Sequence, residues 1–159
     1  MQIQVRDVMD KQPVCLPREA TLTEATQTLL DHDVSQLYVV DDEGCLLGVL
    51  TDFELLKAQL ISLPGDQSVT AHMNAQMTTV SPSLPVARLA PRFRDSSCRR
   101  AAVVEQGQLV GYIDRRTIIQ LISMLESFDA EETQPVQHDG APSSVSAPRF
   151  LQQTDRVRV

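Results

Sequence analysis

Val5-Arg-Asp-Val-Met9, then Pro17, Tyr38-Val-Val40 and Leu47-Gly48-Val-Leu50, is answered by Val69-Thr-Ala-His-Met73, then Pro82, Ala102-Val-Val104 and Val110-Gly111-Tyr-Ile113. The offset is 64 residues at the methionines and valine pairs, 65 at the prolines and 63 at the glycines, a scatter that single-residue slips in loops produce. A period of this length makes each copy one structural unit. A unit of about 55 residues buries too little surface to be stable alone, so the two copies are expected to pack into one module.

Within the first copy, Thr21-Leu-Thr-Glu24 spells a capping box, and Leu22, Ala25, Leu29 and Leu30 follow at helical spacing, which predicts a helix over about 22–32. Gln36 to Asp41 and Leu46 to Leu50 read as paired strands around a turn in which Gly44 supplies the unusual dihedral. A helix then starts at Thr51 and ends at Pro64-Gly65. With a short strand at Val14 to Leu16 the unit reads β-α-β-β-α. The second copy repeats the order: Thr79-Val80, a helix from about 86, Ala101 to Val104, a turn at Gln106-Gly107, Leu109 to Ile113, and a helix from 115 to about 125. Pro91 interrupts its first helix and is expected to kink or shorten it. The expected organisation is repeat 1 over 1–62, a linker over 63–68, repeat 2 over 69–126, and a flexible acidic and polar tail over 127–159.

Composition narrows the function. The 159 residues are 42% hydrophobic but contain no Trp and only 4% aromatics, so the core is expected to be aliphatic. No segment approaches the roughly 20 apolar residues of a membrane span, and residues 1–7 lack the basic start and apolar run of a secretory signal. A cytoplasmic location is expected. Cys15, Cys45 and Cys98 lack CxxC spacing, which points to buried or partly buried thiols with no disulfide framework or zinc site. His32, His72 and His138 are scattered, and GxSxG, P-loop, GxGxxG and HExxH phrases are missing. No catalytic residue and no metal ligand is assigned.

The net charge of −7 is uneven: residues 5–60 hold eleven acids against four bases, whereas 69–125 hold seven arginines against three acids. The seven arginines fall within residues 88–116, a density that suits a phosphate-bearing small molecule better than duplex nucleic acid. A solvated charged face, or salt bridges to the acidic first copy, would also account for them.

Two β-α-β-β-α units, each opening with Val-x-x-x-Met and closing with a Gly-apolar-apolar phrase and a helix, resemble the tandem cystathionine-beta-synthase-type (CBS) domain pair over about residues 5–125. The resemblance implies an α+β fold in which two repeats pack by a pseudo-twofold, clefts between them, and association into a homodimer. It also implies a non-enzymatic regulator of another protein, with an adenosine compound such as AMP, ADP or ATP as ligand and no required cofactor. The family's ligand phrase runs Gly, two residues, Ser or Thr, two residues, Asp; the hydroxyl serves phosphate and the Asp holds ribose hydroxyls. Here it reads Gly48-Val-Leu-Thr51-Asp-Phe-Glu54, and in the second copy Gly111-Tyr-Ile-Asp114-Arg-Arg-Thr117.

Thr51 would deliver a hydroxyl to a helix N-terminus, where free amides and partial positive charge attract anions. Thr51-x-x-Glu54 is equally a capping box that involves no ligand. In the second phrase Asp114 caps well but repels phosphate, and Thr117 stands where the ribose carboxylate is expected. Arg115 and Arg116 sit in a first helical turn, where the helix dipole disfavours cations unless they meet an anion. Arg99 and Arg100 precede the Ala101 strand, and guanidiniums grip phosphate oxygens in pairs. The nucleotide-binding expectation therefore rests on Thr51, Glu54, Arg99, Arg100, Asp114, Arg115, Arg116 and Thr117. A dimerising or protein-interaction module without ligand is the second reading, and an enzyme using Cys or His the third.

Overall fold

The computed structural model describes residues 2–95 and 97–131. The expected β-α-β-β-α order is present twice. In repeat 1 it comprises β1 (Cys15–Pro17), α2 (Leu22–Asp31), β2 (Gln36–Val40), β3 (Leu46–Thr51) and α3 (Asp52–Leu60), preceded by α1 (Val5–Val8). In repeat 2 it comprises β4 (Thr79–Val80), α4 (Val86–Leu89), β5 (Arg100–Glu105), β6 (Gln108–Asp114) and α5 (Arg115–Glu131), preceded by a 3-10 turn, Val69–Ala71. Each repeat forms a three-stranded sheet, β1-β2-β3 or β4-β5-β6, parallel at its first pair and antiparallel at its second.

The local signals act as expected. Thr21 accepts the Glu24 amide at 3.2 Å while the Glu24 carboxylate accepts the Thr21 amide at 2.7 Å, closing the capping box that starts α2. Gly44 and Gly107 turn their hairpins at φ +81° and +86°, dihedrals that carry little steric penalty only for glycine. Pro91 ends α4 after Leu89, and the chain continues as a 3-10 turn over Ala90–Arg94. α5 runs on to Glu131, so the first residues of the expected tail are helical; 132–159 lie outside the described residues. The thiols are free, and Cys15 is exposed rather than buried, because its strand turns it away from the core.

The repeats exchange their opening phrases. Val5, Ile3, Val8 and Met9 pack into the core of repeat 2 with Val86, Leu89, Val103 and Ile113, while Val69 and Met73 pack into the core of repeat 1 with Leu22, Leu37 and Leu50. Backbone bonds secure both exchanges: Val5 N–H to Leu84 O and Val86 N–H to Ile3 O at 2.9 and 3.0 Å, matched by Val69 N–H to Ala20 O and Leu22 N–H to Gln67 O at 2.9 Å. Each phrase then forms a bridge with the last strand of the repeat it enters, Asp10 with Tyr112 and Asn74 with Val49. The Val-x-x-x-Met phrases are therefore core anchors, each for the opposite repeat. Val69→Ala should cost about 2 kcal/mol and, by native-state hydrogen exchange, speed opening of amides in 22–60, which precede it in the chain. An effect confined to 79–131 would contradict the exchange.

Between the sheets lies a small cluster of Tyr38, Val49, Ala102 and Tyr112. The offsets of 64 and 63 make Ala102 the counterpart of Tyr38 and Val49 the counterpart of Tyr112, so each bulky ring has a smaller residue at the equivalent position, and the two rings stack at 6.0 Å between centroids. The Tyr112 hydroxyl donates to Asp10 at 2.9 Å; the buried Tyr38 hydroxyl has no partner among the described residues. Burial, only partly offset by nearby Arg100, pushes the Tyr38 hydroxyl well above the ordinary tyrosine range. Because the folded pKa is raised, stability is complete below the unfolded value near 10 and falls as pH rises above it. Tyr38→Phe should be neutral or stabilising by about 1 kcal/mol and should flatten that alkaline loss, as urea unfolding at pH 8 and 11 would show.

Candidate functional site

A cleft of about 610 Å³ opens where the two repeats meet, lined by Ser35, Gln36, Thr51, Asp52 and Phe53 from repeat 1 and by Arg99, Arg100, Asp114, Arg115 and Arg116 from repeat 2. The two sets correspond one to one at offsets of 63 or 64, so the cleft lies across the internal pseudo-twofold. Two matched elements build each wall. The segment entering β2 or β5 supplies the first pair, and the junction of β3 with α3, or of β6 with α5, supplies the rest. The junctions are held the same way: Asp52 N–H donates to Ser35 O at 3.0 Å, and Arg115 N–H to Arg99 O at 3.3 Å. Both helices thus begin at the cleft, and the Phe53 and Arg116 amides, second in each helix, have no acceptor among the described residues.

Six of the eight residues expected at a ligand site line this cleft: Thr51, Arg99, Arg100, Asp114, Arg115 and Arg116. Glu54 and Thr117 do not. The Glu54 carboxylate turns back to accept the Thr51 amide at 3.0 Å and also takes the Thr51 hydroxyl. Thr117 donates its amide at 2.9 Å and its hydroxyl at 3.0 Å to Asp114, which is therefore the cap of α5. Ser35, Gln36, Asp52 and Phe53 had not been singled out. The repeat offset carries the signal for the first two, since subtracting 64 from Arg99 and Arg100 lands on them.

Charge in the cleft is asymmetric. Four guanidiniums share the cleft with Asp52 and Asp114, and the only ion pair among the described residues is Arg18 with Glu19 at 3.6 Å, so none of the four is ion-paired with a described carboxylate. Among the described residues these arginines form no salt bridge to the acidic repeat. Arg100 lies over the Tyr112 ring, 5.2 Å from the centroid, which orients its planar group. Arg115 donates to the Asp95 carbonyl and tethers α5 to the segment before β5. Arg99 and Arg116 are exposed at the mouth. This arrangement favours an anion with several oxygens, and Gln36 and Thr51 add neutral polar groups beside it.

The fold and site define a paired-repeat α+β module with one basic cleft on its internal twofold. The chain belongs to the CBS domain family, which matches residues 5–61 and 68–124. It is 28% identical over 122 residues to an A-adding tRNA nucleotidyltransferase of Aquifex aeolicus, covering 77% of this chain but 15% of that protein. Among solved structures it is similar to a putative acetoin utilization protein, AcuB, of Vibrio cholerae, with TM-score 0.72, 27% identity, and coverage of 85% of this chain and 100% of the other. It also shares its fold with CBSX2, solved in complex with AMP, at TM-score 0.68 and 24% identity, covering 77% of this chain and 98% of that chain. No helix among the described residues is long and apolar enough to cross a membrane.

Proposed function

We propose that this chain is a cytoplasmic regulatory CBS-domain pair, without catalysis of its own, that binds the phosphate end of an adenosine nucleotide in the cleft on its pseudo-twofold. The carrying observation is the set of four guanidiniums, none ion-paired with a described carboxylate, around two helix N-termini. The AMP-bound fold neighbour supports the adenosine class. Thr51 and the Phe53 and Arg116 amides serve phosphate oxygens, and Glu54 leaves its cap to reach ribose hydroxyls. Thermal unfolding against AMP, ADP, ATP and S-adenosylmethionine tests this. Ligand at 100 times its dissociation constant adds about 2.7 kcal/mol, a midpoint rise of several degrees. A phosphate-bearing member should produce it, and an unchanged midpoint with every member would defeat the proposal.

A second reading, an interaction module without ligand, is favoured by one observation: Glu54 and Asp114 are both already engaged as caps. Unshifted melting of a folded dimer would select it.

Dimerisation is proposed through α3 and α5. Leu56, Leu60, Ile119 and Met124 are 54–74% exposed, and Leu56 and Ile119 are repeat counterparts. A second copy would cover both helices, so that occupancy at their N-termini alters how the copies pack and a partner protein reads the change. Leu56→Glu with Ile119→Glu should halve the mass seen by light scattering, from twice 17.6 kDa to one chain. An unchanged mass would place the interface elsewhere.

A further inference from the structure

The bridges that lock each opening phrase onto the last strand of the other repeat share a backbone pattern and differ in their side chains. Asp10 and Tyr112 exchange backbone bonds at 2.9 Å each, and Asn74 and Val49 exchange theirs at 2.8 and 2.9 Å. At both bridges the side chain of the phrase accepts the amide two residues on, Asp10 from Gln12 and Asn74 from Gln76, at 2.8 Å. Only the first bridge goes further. The second carboxylate oxygen of Asp10 accepts the Tyr112 hydroxyl at 2.9 Å, and the Arg100 guanidinium lies over the Tyr112 ring, 5.2 Å from its centroid. The repeat offsets put Gln36, Val49 and Asn74 at the equivalent positions, so repeat 1 has no cation, ring or carboxylate there.

We propose that Tyr112 and Asp10, neither of which lines the cleft, are positioning residues that hold Arg100 ready for the anion. The inference rests on the anion-binding reading of the cleft and adds to it which guanidinium is set in place beforehand. A guanidinium uses its flat face against a ring and its edges for hydrogen bonds, so the two are compatible. Stacked on Tyr112, Arg100 keeps its N–H donors free in the plane, and its side chain makes no hydrogen bond or ion pair among the described residues. The ring is itself fixed: Asp10 holds its hydroxyl, and Tyr38 stacks on it with centroids 6.0 Å apart. Asp10 is fixed in turn through both oxygens. A phenol bonded to a carboxylate is also richer in electrons, which strengthens the hold of its face on a cation. Ordering Arg100 before the anion arrives lowers the side-chain entropy lost on binding. Among the described residues no aromatic ring lies under Arg99 or Arg116.

Calorimetric titration of the full chain with AMP, ADP and ATP tests it, the tightest of the three then serving for every variant. Tyr112→Leu should weaken binding about tenfold, and Tyr112→Phe, which keeps the ring, about threefold. In an Arg100→Ala background Tyr112→Leu should make no further difference, whereas a structural role alone would lower affinity in both backgrounds equally. Asp10→Asn sets two effects against each other. Deleting a negative charge would by Coulomb attraction alone tighten an anion, whereas leaving one acceptor oxygen for two donors should loosen Tyr112 and weaken binding about threefold. A wild-type chain that binds none of the three nucleotides would defeat the cleft reading and this inference with it. Wild-type binding, together with a Tyr112→Leu loss that persists without Arg100 or with unchanged or tighter binding in Asp10→Asn, would overturn the positioning role and leave the cleft reading standing.

Discussion

Gly111→Ala is expected to lower stability by about 2–3 kcal/mol, roughly 6–12 °C in the midpoint of thermal unfolding. A Cβ at this position would press into the Asp10 carbonyl and lie 3.1 Å from the Met9 sulfur, where the exchanged opening phrase crosses β6. The carbonyl belongs to a backbone bridge with Tyr112, whose amide donates to it at 2.9 Å, so relief requires moving the phrase itself. Gly48→Ala should cost less. Its Cβ would meet the Met73 sulfur at 2.7 Å and the Asn74 carbonyl at 3.0 Å, and a methionine end can rotate away. Gly44→Ala provides the contrast: nothing lies within 4 Å, and the cost of about 1 kcal/mol comes from φ +81° alone. The order Gly111, Gly48, Gly44 follows from the exchange of phrases. Equal effects at all three would mean that backbone dihedrals decide and the crossing contact does not.

Removing the guanidiniums at the cleft mouth is expected to have the largest effect on binding. Hydrogen bonds to charged groups contribute about 1.5–3 kcal/mol each, so Arg99→Ala with Arg116→Ala should weaken an adenosine nucleotide at least 100-fold by calorimetry. Both side chains are exposed, and neither makes a side-chain hydrogen bond or ion pair among the described residues, so unliganded stability should change by less than about 0.5 kcal/mol. Arg115 is a poorer probe because its bond to Asp95 makes it structural as well. Affinity unchanged in the double variant would remove the arginines from the site.

Most secondary structure was legible because its determinants are local. The Thr21 box, the two hairpin glycines and Pro91 each act within a turn of their own position. The repeat offset also carried the architecture, since a unit that recurs must bury the same faces twice. The exchange of opening phrases was not legible: which core Val5 or Val69 enters depends on packing between repeats, and the letters are the same in either arrangement. Gly48 and Gly111 were its nearest trace, because their lack of a side chain is required only where another strand of backbone crosses. The end of α5 was misjudged because apolar residues thin out after Leu125, although Ala130 and Glu131 are good helix formers and the backbone needs no apolar face to continue.

At the site, residue type proved a better guide than role. The arginine density located one wall of the cleft, and the offset would have supplied the other through Ser35 and Gln36. Glu54 and Thr117 fit the ligand phrase by position, yet without a ligand each has a partner within its own helical turn, because Thr51-x-x-Glu54 and Asp114-x-x-Thr117 are also helix starts. A sequence phrase at a helix N-terminus serves capping and anion binding with the same atoms, and only geometry separates them.

Hydrogen exchange of the full chain with and without a saturating adenosine nucleotide tests the central claim most directly. Occupancy of the cleft should slow exchange together at 52–54 and 115–117, the first turns of α3 and α5, and at 35–36 and 99–100 beside them, with smaller changes in the sheets. Protection confined to one repeat, or lying away from these four segments while the nucleotide is bound, would contradict a shared site on the pseudo-twofold.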